Sequence, residues 1–143
     1  MPTLDARDLH LFHPRIALLG RVMFTLIFFL SGITHFTDLD RYVALMPAPI
    51  PFRPFWVMIS GLTELLGATL ILINRYPRAG AWLIVLFLVP VTITVHGTAM
   101  LTAPDDVMRQ IQLSFFLKGV TMIGAALLFT QVGVPRSAPG GRI

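Results

Sequence analysis

The chain has 143 residues, of which 55% are hydrophobic and 13% are charged, whereas soluble proteins carry about 25% charged residues. It contains no cysteine, which excludes disulfides, thiol redox chemistry, thiolate metal sites and a cysteine nucleophile. The net charge of +4 comes from arginines that lie mostly between apolar runs, so the composition indicates a one-domain membrane protein and gives no sign of a nucleic-acid-binding surface.

Four apolar runs predict four transmembrane helices, because each has roughly the 20 residues that a hydrocarbon core of about 30 Å requires. The predicted spans are residues 16–36, 55–73, 79–100 and 110–129. Only helices and closed barrels satisfy their backbone hydrogen bonds in lipid, and these runs lack the alternation of barrel strands. The predicted fold is therefore all-α, an integral membrane four-helix bundle over residues 16–131.

The segments between the spans differ in composition. The first connection holds Pro47, Pro49, Pro51 and Pro54, a density that forbids a continuous helix. We expect a short interfacial helix just before it, at residues 38–43. A tight turn joins the second span to the third, and Asp105 or Asp106 is expected to cap the fourth. Within the third span, Pro90 is expected to kink the helix.

The arginines outside the spans predict the orientation in the membrane. Six lie on the side that carries both termini and three on the opposite side; they are Arg7, Arg15, Arg75, Arg78, Arg136 and Arg142 against Arg41, Arg53 and Arg109. Because cytoplasmic loops are richer in basic residues, we expect both termini in the cytoplasm and a multi-pass protein of the cell inner membrane. Residues 1–15 then form a cytoplasmic segment without the features of a signal peptide, and residues 132–143 form a disordered tail.

Two residues of opposite charge lie near the middle of apolar spans. Glu64 lies about ten residues into the second span, or ~15 Å at the rise of a helix, and Lys118, the only lysine, lies at a similar depth in the fourth. We infer an ion pair between them, direct or through one further polar group. Such a pair either fixes the register of the helices or belongs to a functional site, since charges inside a membrane are expensive.

Polar side chains at helical spacing occur on the other two spans. Ser31 and His35 lie toward the outer end of the first span, and Thr92 and His96 share a face in the outer half of the third. We expect them to converge with the two charged residues on a cavity that opens toward the proline-rich loop. Arg21, near the inner end of the first span, either reaches the lipid head groups or anchors the inner end of this polar core.

No cofactor site is marked by the sequence. His35 and His96, on different helices at similar depth, raise the question of bis-histidine haem ligation, but nothing indicates a porphyrin slot. The two histidines and the distant Glu64 lack the tight ligand spacing of a metal site. We therefore expect neither a metal, nor haem, nor a covalently bound group.

Four short motifs, in this order and spacing, resemble the DoxX family of small four-helix membrane proteins. They are GR at residues 20–21, SGITHF at 31–36, MPAPIP at 46–51 and SGLTELLG at 60–67, and the resemblance covers about residues 19–129. It implies a polar constellation at Arg21, His35, Glu64 and Lys118; Gly119 stands where similar members often have asparagine. The related DoxD-like proteins are subunits of a thiosulfate:quinone oxidoreductase, and other members are linked to oxidative-stress complexes or to assembly of membrane partners.

Two functions of different classes follow. The first is a quinone-interacting or redox-accessory subunit, in which histidine and lysine donate to quinone carbonyls and a histidine exchanges the proton. The second is a non-catalytic structural or assembly subunit of a larger membrane complex, with other subunits or further copies of the chain as partners besides the lipid bilayer. Transport is a weaker third interpretation. The sequence does not show a complete catalytic set, so it does not decide whether the protein is an enzyme.

Overall fold

The structure, a computed structural model, describes residues 13–131. In chain order the elements are α1 (Pro14–Thr37), α2 (Leu39–Leu45), α3 (Arg53–Leu72), α4 (Pro77–Val91), a π-helical segment (Thr92–Gly97), α5 (Thr98–Leu101) and α6 (Asp106–Gln131). The described part contains no strand. Four stretches are long and apolar enough to cross a membrane, namely α1, α3, α6 and the third span Pro77–Leu101, which joins α4, the π-helical segment and α5. The predicted all-α four-helix membrane bundle is confirmed.

The helices extend one to four residues beyond most of the predicted span limits. Consecutive spans run in opposite directions, so both ends of the described chain lie at one end of the bundle. We call this the terminal end, and the opposite end, with α2 and the proline-rich segment, the loop end. Which end faces the cytoplasm stays a prediction, while the predicted disordered tail and most of the N-terminal segment lie outside the described residues.

The helix boundaries follow from local chemistry. Proline occupies one of the first two positions of α1, α3 and α4, where its fixed φ suits a helix and its missing N–H is not needed. Asp105, one of the two predicted caps, accepts the backbone N–H of Met108 at 2.7 Å through Oδ1. Asn74 in the turn between the second and third spans has a φ of 55°, which asparagine tolerates better than most residues.

The order of packing leaves one side of the bundle loosely closed. α3 packs between α1 and α4, and α6 packs along the third span and not along α3. α6 meets α1 through Phe24 and Phe129, whose ring centroids are 4.9 Å apart. Most of the buried core lies in the terminal half of the bundle; the core consists of Phe28, Ala68, Ile71, Ala81, Ile84, Leu88 and Ala126. The loop half is therefore less filled than the terminal half.

Glycines bring neighbouring spans into direct backbone contact at two crossings. A methyl group added at Gly61 of α3 would lie 2.7 Å from Cβ of His35 and 3.1 Å from the carbonyl oxygen of Gly32 in α1. One added at Gly80 of α4 would lie 2.6 Å from the carbonyl oxygen of Gly67 in α3. Only glycine fits at such distances, so these residues determine how closely α1, α3 and α4 approach one another.

Candidate functional site

The loop half of the bundle contains a cavity of about 650 Å3. α1, α3, the third span and α6 contribute its walls, and α2 with the proline-rich segment contributes lining residues at the loop end. Six of the seven predicted site residues line it, namely Ser31, His35, Glu64, Thr92, His96 and Lys118. A volume of this size lies within the range of about 300–1,000 Å3 that is typical of small-molecule sites.

Glu64 forms the polar centre of one wall. Its side chain is 2% exposed, and its Oε2 accepts a hydrogen bond from Oγ of Ser31 at 3.1 Å and lies 3.2 Å from Nδ1 of His35. These contacts cross from α3 to α1, directly beside the crossing of Gly32 and Gly61. No third His, Cys, Asp or Glu side chain joins His35 and Glu64 to form a metal-binding group within residues 13–131. Ser31 links the two residues, because its hydroxyl donates to Glu64 and its backbone carbonyl accepts from His35.

The hydrogen bonds of His35 determine its tautomer. Nδ1 lies 2.7 Å from the backbone carbonyl oxygen of Ser31, and a carbonyl oxygen can only accept, so Nδ1 carries a hydrogen. Oε2 of Glu64 lies 3.2 Å from the same nitrogen, but the hydrogen bond of this N–H is the one to Ser31. Among the described residues Nε2 has no hydrogen-bond partner, so it is the ring nitrogen that remains for a ligand. A carboxylate that orients one histidine nitrogen while the other faces a reactant is a common arrangement in proton transfer.

Tyr42 of α2 fixes the ring of His35 from the loop end. The two rings stack with centroids 3.9 Å apart, and the hydroxyl of Tyr42 lies 2.7 Å from that of Thr34. Phe87 of α4 meets the other side of His35 edge-on, with centroids 6.0 Å apart. Sequence reasoning missed Tyr42 as a site residue. The available signal was its place in the predicted interfacial helix, close in sequence to the end of the first span.

The opposite wall is shaped by the π-helical segment that follows Pro90. Proline has no N–H to give to the carbonyl one turn earlier, and the chain adopts wider π turns from Thr92 to Gly97, a form that often occurs at functional sites. Nδ1 of His96 lies 3.3 Å from Oε1 of Gln112, and its ring stacks on Phe115 with centroids 5.5 Å apart. The chain after Pro90 is therefore π-helical, and the kink stays a prediction.

Lys118 does not form the predicted direct ion pair with Glu64. Its Nζ lies 5.0 Å from the centroid of Phe115, and no described acidic group lies within ion-pair distance of it. Counting residues from the end of each span gives depth in the membrane but not position around the bundle. Because α6 packs on the third span and not on α3, Lys118 and Glu64 face each other across the cavity. The side chain of Lys118 is exposed at the edge of this cavity.

The DoxX family model matches residues 16–97 of this chain, which is more than half of it. The chain belongs to the DoxX family. The matched segment contains every predicted site residue except Lys118, which lies beyond it. Neither the curated proteins nor the solved structures include a significant match to the chain. Family membership therefore supports a multi-pass membrane protein and leaves the reaction to be argued from the site.

In this DoxX protein the SGITHF and SGLTELLG motifs form one structural unit. The first glycine of each motif, Gly32 and Gly61 respectively, lies at the crossing of α1 and α3. The close approach there lets Ser31 and His35 reach Glu64 across the helix interface. The two motifs thus supply both the glycines of the helix crossing and the polar side chains that meet beside it.

Arg21 lies apart from this group. It does not line the cavity, and its Nε donates to the backbone carbonyl of Ala17 on its own helix at 3.3 Å. Of the two interpretations of Arg21, reaching toward the lipid head groups fits these contacts better than anchoring the polar core.

Exchanging the two charges is expected not to restore the fold. In the double variant Glu64→Lys, Lys118→Glu, the new ammonium would lie beside His35, without the carboxyl group that accepts from the hydroxyl of Ser31. We expect the double variant to be as unstable as Glu64→Lys alone, measured as thermal aggregation of detergent-solubilised protein. Recovery to the stability of the unmodified protein would show that Glu64 and Lys118 form an ion pair.

Proposed function

We propose that this DoxX-family protein is a quinone-interacting or redox-accessory subunit of the cell inner membrane, and that its cavity binds the quinone ring. The observation that carries the proposal is the cavity within the membrane-spanning part of the bundle, with the Ser31–Glu64–His35 group on one wall and Lys118 and His96 on the other. A quinone ring presents two carbonyl oxygens at opposite edges. Donors on opposite walls suit this chemistry.

The residues have distinct roles in this proposal. His35 holds or exchanges a proton at Nε2, and Glu64 stabilises the imidazolium that forms when the ring takes up a second proton. Lys118 donates to the second quinone oxygen and stabilises negative charge on it. Since the chain has no cysteine and no evident flavin motif, the electrons come from a partner protein or from a substrate. The protein would then supply the quinone site of a larger assembly.

Removing the ammonium of Lys118 is expected to weaken quinone binding about tenfold, which corresponds to about 1.4 kcal/mol. The Lys118→Met variant keeps most of the length of the side chain and loses its charge, while Lys118→Arg keeps a charged donor. We expect Lys118→Arg to bind far better than Lys118→Met, and both to fold normally because Lys118 has no ion pair with a described residue. The measurement is a quinone titration of the purified protein in lipid nanodiscs. Equal affinity in Lys118→Met and the unmodified protein would show that Lys118 does not contribute to quinone binding.

A second candidate function, an assembly subunit, is favoured by the exposure of that same lysine. A charged group near the middle of a span is costly when it faces hydrocarbon. A carboxylate of a neighbouring subunit would offset this cost as effectively as a bound ligand would. Purification in mild detergent distinguishes the two functions. Co-purifying membrane proteins that are lost in Lys118→Met, without saturable quinone binding, would favour assembly.

A further inference from the structure

We infer that the cavity opens sideways into the bilayer between α3 and the third span, and that its ligand is an amphiphile whose long apolar chain lies in this opening. The inference deepens the proposed function and rests on it for the identity of the head group. The shape and lining of the opening support the apolar chain separately.

Two stripes of cavity-lining residues face each other across the boundary of these helices. On α3 the stripe contains Ile59 and Thr63, one turn apart, and on the third span it contains Leu86, Pro90 and Thr94, at the same spacing. The contact of Gly67 with Gly80 sets the antiparallel register of the two helices. Counted from that contact, Thr63 lies level with Ile84 and Ile59 level with Leu88, and Leu86 and Pro90 follow two residues, or ~3 Å, nearer the loop end. The stripes therefore form the two sides of one slot, which we call the α3–α4 slot.

The residues of the slot belong to both the cavity and the outer surface. Leu86 is 67% exposed and Ile59 is 40% exposed, yet both line the cavity. An exposed side chain on the flank of a transmembrane helix faces lipid. A side chain that borders lipid on one side and the cavity on the other marks a passage between them.

The slot is apolar although it contains two threonines. The hydroxyl of Thr63 donates to the carbonyl oxygen of Ile59 at 2.8 Å, and that of Thr94 donates to the carbonyl oxygen of Pro90 at 2.8 Å. Both hydroxyls are thus satisfied by the backbone of their own helices. The walls offer mainly hydrocarbon, which suits an alkyl or prenyl chain and offers little to a polar ligand.

The contact between α3 and α4 is closest toward the terminal end, where Gly67 and Gly80 allow the two backbones to touch. Toward the loop end no glycine pair recurs on these helices, and Pro90 with the following π turns departs from regular α-helix. The inference therefore places the opening at the loop end of this helix pair, beside the cavity.

The inner end of the slot lies at the polar group. Glu64 follows Thr63 directly in α3, and the side chain of Phe87, next to Leu86, contacts the ring of His35. A head group at His35 and Glu64 would therefore lead its chain outward through the slot into the bilayer. This assigns the ligand to the class of membrane-dissolved amphiphiles, as opposed to solutes that enter from water.

The test compares two probes in nanodiscs: a dimethoxy-benzoquinone ring that carries a decyl chain, and the same ring with a methyl group in its place. The variants Ile59→Phe and Leu86→Phe narrow the slot. Leu62→Phe and Ile93→Phe are matched controls, because Leu62 and Ile93 lie on the same helices, are lipid-exposed and do not line the cavity. We expect the affinity for the decyl probe, divided by the affinity for the methyl probe, to fall about tenfold in the slot variants. The same ratio should stay unchanged in the controls. An unchanged ratio in both slot variants would overturn the inference.

A second measurement keeps the inference independent of quinone binding. Nanodiscs containing a phosphatidylcholine with a diazirine at the end of one acyl chain are irradiated, and the labelled residues are identified by mass spectrometry. The slot predicts labels on Thr63 and Pro90 that decrease in Leu86→Phe. Labels confined to outward residues such as Leu62 and Ile93 would contradict the slot. If neither probe binds while the slot is labelled, the proposed quinone function fails and the lateral opening stands.

Discussion

A leucine in place of Gly61 is expected to separate α1 from α3 and to prevent the bundle from folding. The first atom of the new side chain would already lie 2.7 Å from Cβ of His35 and 3.1 Å from the backbone oxygen of Gly32, and backbone cannot move aside without parting the helices. Overfilled cores lose about 1–3 kcal/mol and occasionally more, against a total stability of about 5–15 kcal/mol for typical proteins. We expect the loss to exceed about 3 kcal/mol.

The matched control for this substitution is Gly20→Leu. A Cβ at Gly20 meets nothing within 4 Å, so the same change of residue there is expected to leave thermal stability in detergent nearly unchanged. Gly61→Ala should lie between the two, because it adds one methyl group to the crossing. A folded Gly61→Leu protein as stable as Gly20→Leu would show that α1 and α3 do not cross at these glycines.

Two substitutions at His35 are expected to have opposite effects on stability and on quinone binding. The amide of asparagine reaches the position of Nδ1, and that of glutamine reaches the position of Nε2. His35→Asn should keep the donor to Ser31 and fold well, but lose the group that faces the ligand. His35→Gln should lose that hydrogen bond and keep the ligand-facing group. Loss of a hydrogen bond that leaves a buried partner unsatisfied costs about 1–3 kcal/mol, or roughly fivefold to a hundredfold in affinity.

Comparing the two variants in stability and in quinone affinity distinguishes a ligand-binding role of His35 from a purely structural one. In thermal unfolding we expect His35→Asn to be more stable than His35→Gln, and in the quinone titration we expect the reverse order of affinity. If binding followed stability in both variants, His35 would act only by holding α1 to α3, and the assembly function would be favoured.

The fold was predictable because hydropathy alone decides it. Apolar runs of membrane length allow little besides helices, and the four membrane-spanning helices are those that the composition implied. The helical spacing of Ser31 and His35, and of Thr92 and His96, also placed these residues on faces that the structure brings to one cavity.

The partners of Glu64 were not predictable from depth. Counting residues along a span gives the height of a side chain and says nothing of which helices are neighbours. The neighbour of Glu64 is decided by the Gly32 and Gly61 crossing, which places α1 beside α3 and leaves Lys118 across the cavity. The role of Tyr42 was hidden for a similar reason, because the sequence at the junction of α1 and α2 gives no sign of the direction in which α2 folds back.

The central claim is that this cavity binds a quinone ring between His35 and Lys118. Its most direct test is an equilibrium titration of the purified protein in nanodiscs with the decyl quinone, monitored by the fluorescence of Trp56, which lines the cavity, in a Trp82→Phe background. The proposal predicts saturable binding of one quinone per chain that weakens about tenfold or more in both His35→Asn and Lys118→Met. Non-saturable partitioning, or the same affinity in all three proteins, would contradict it.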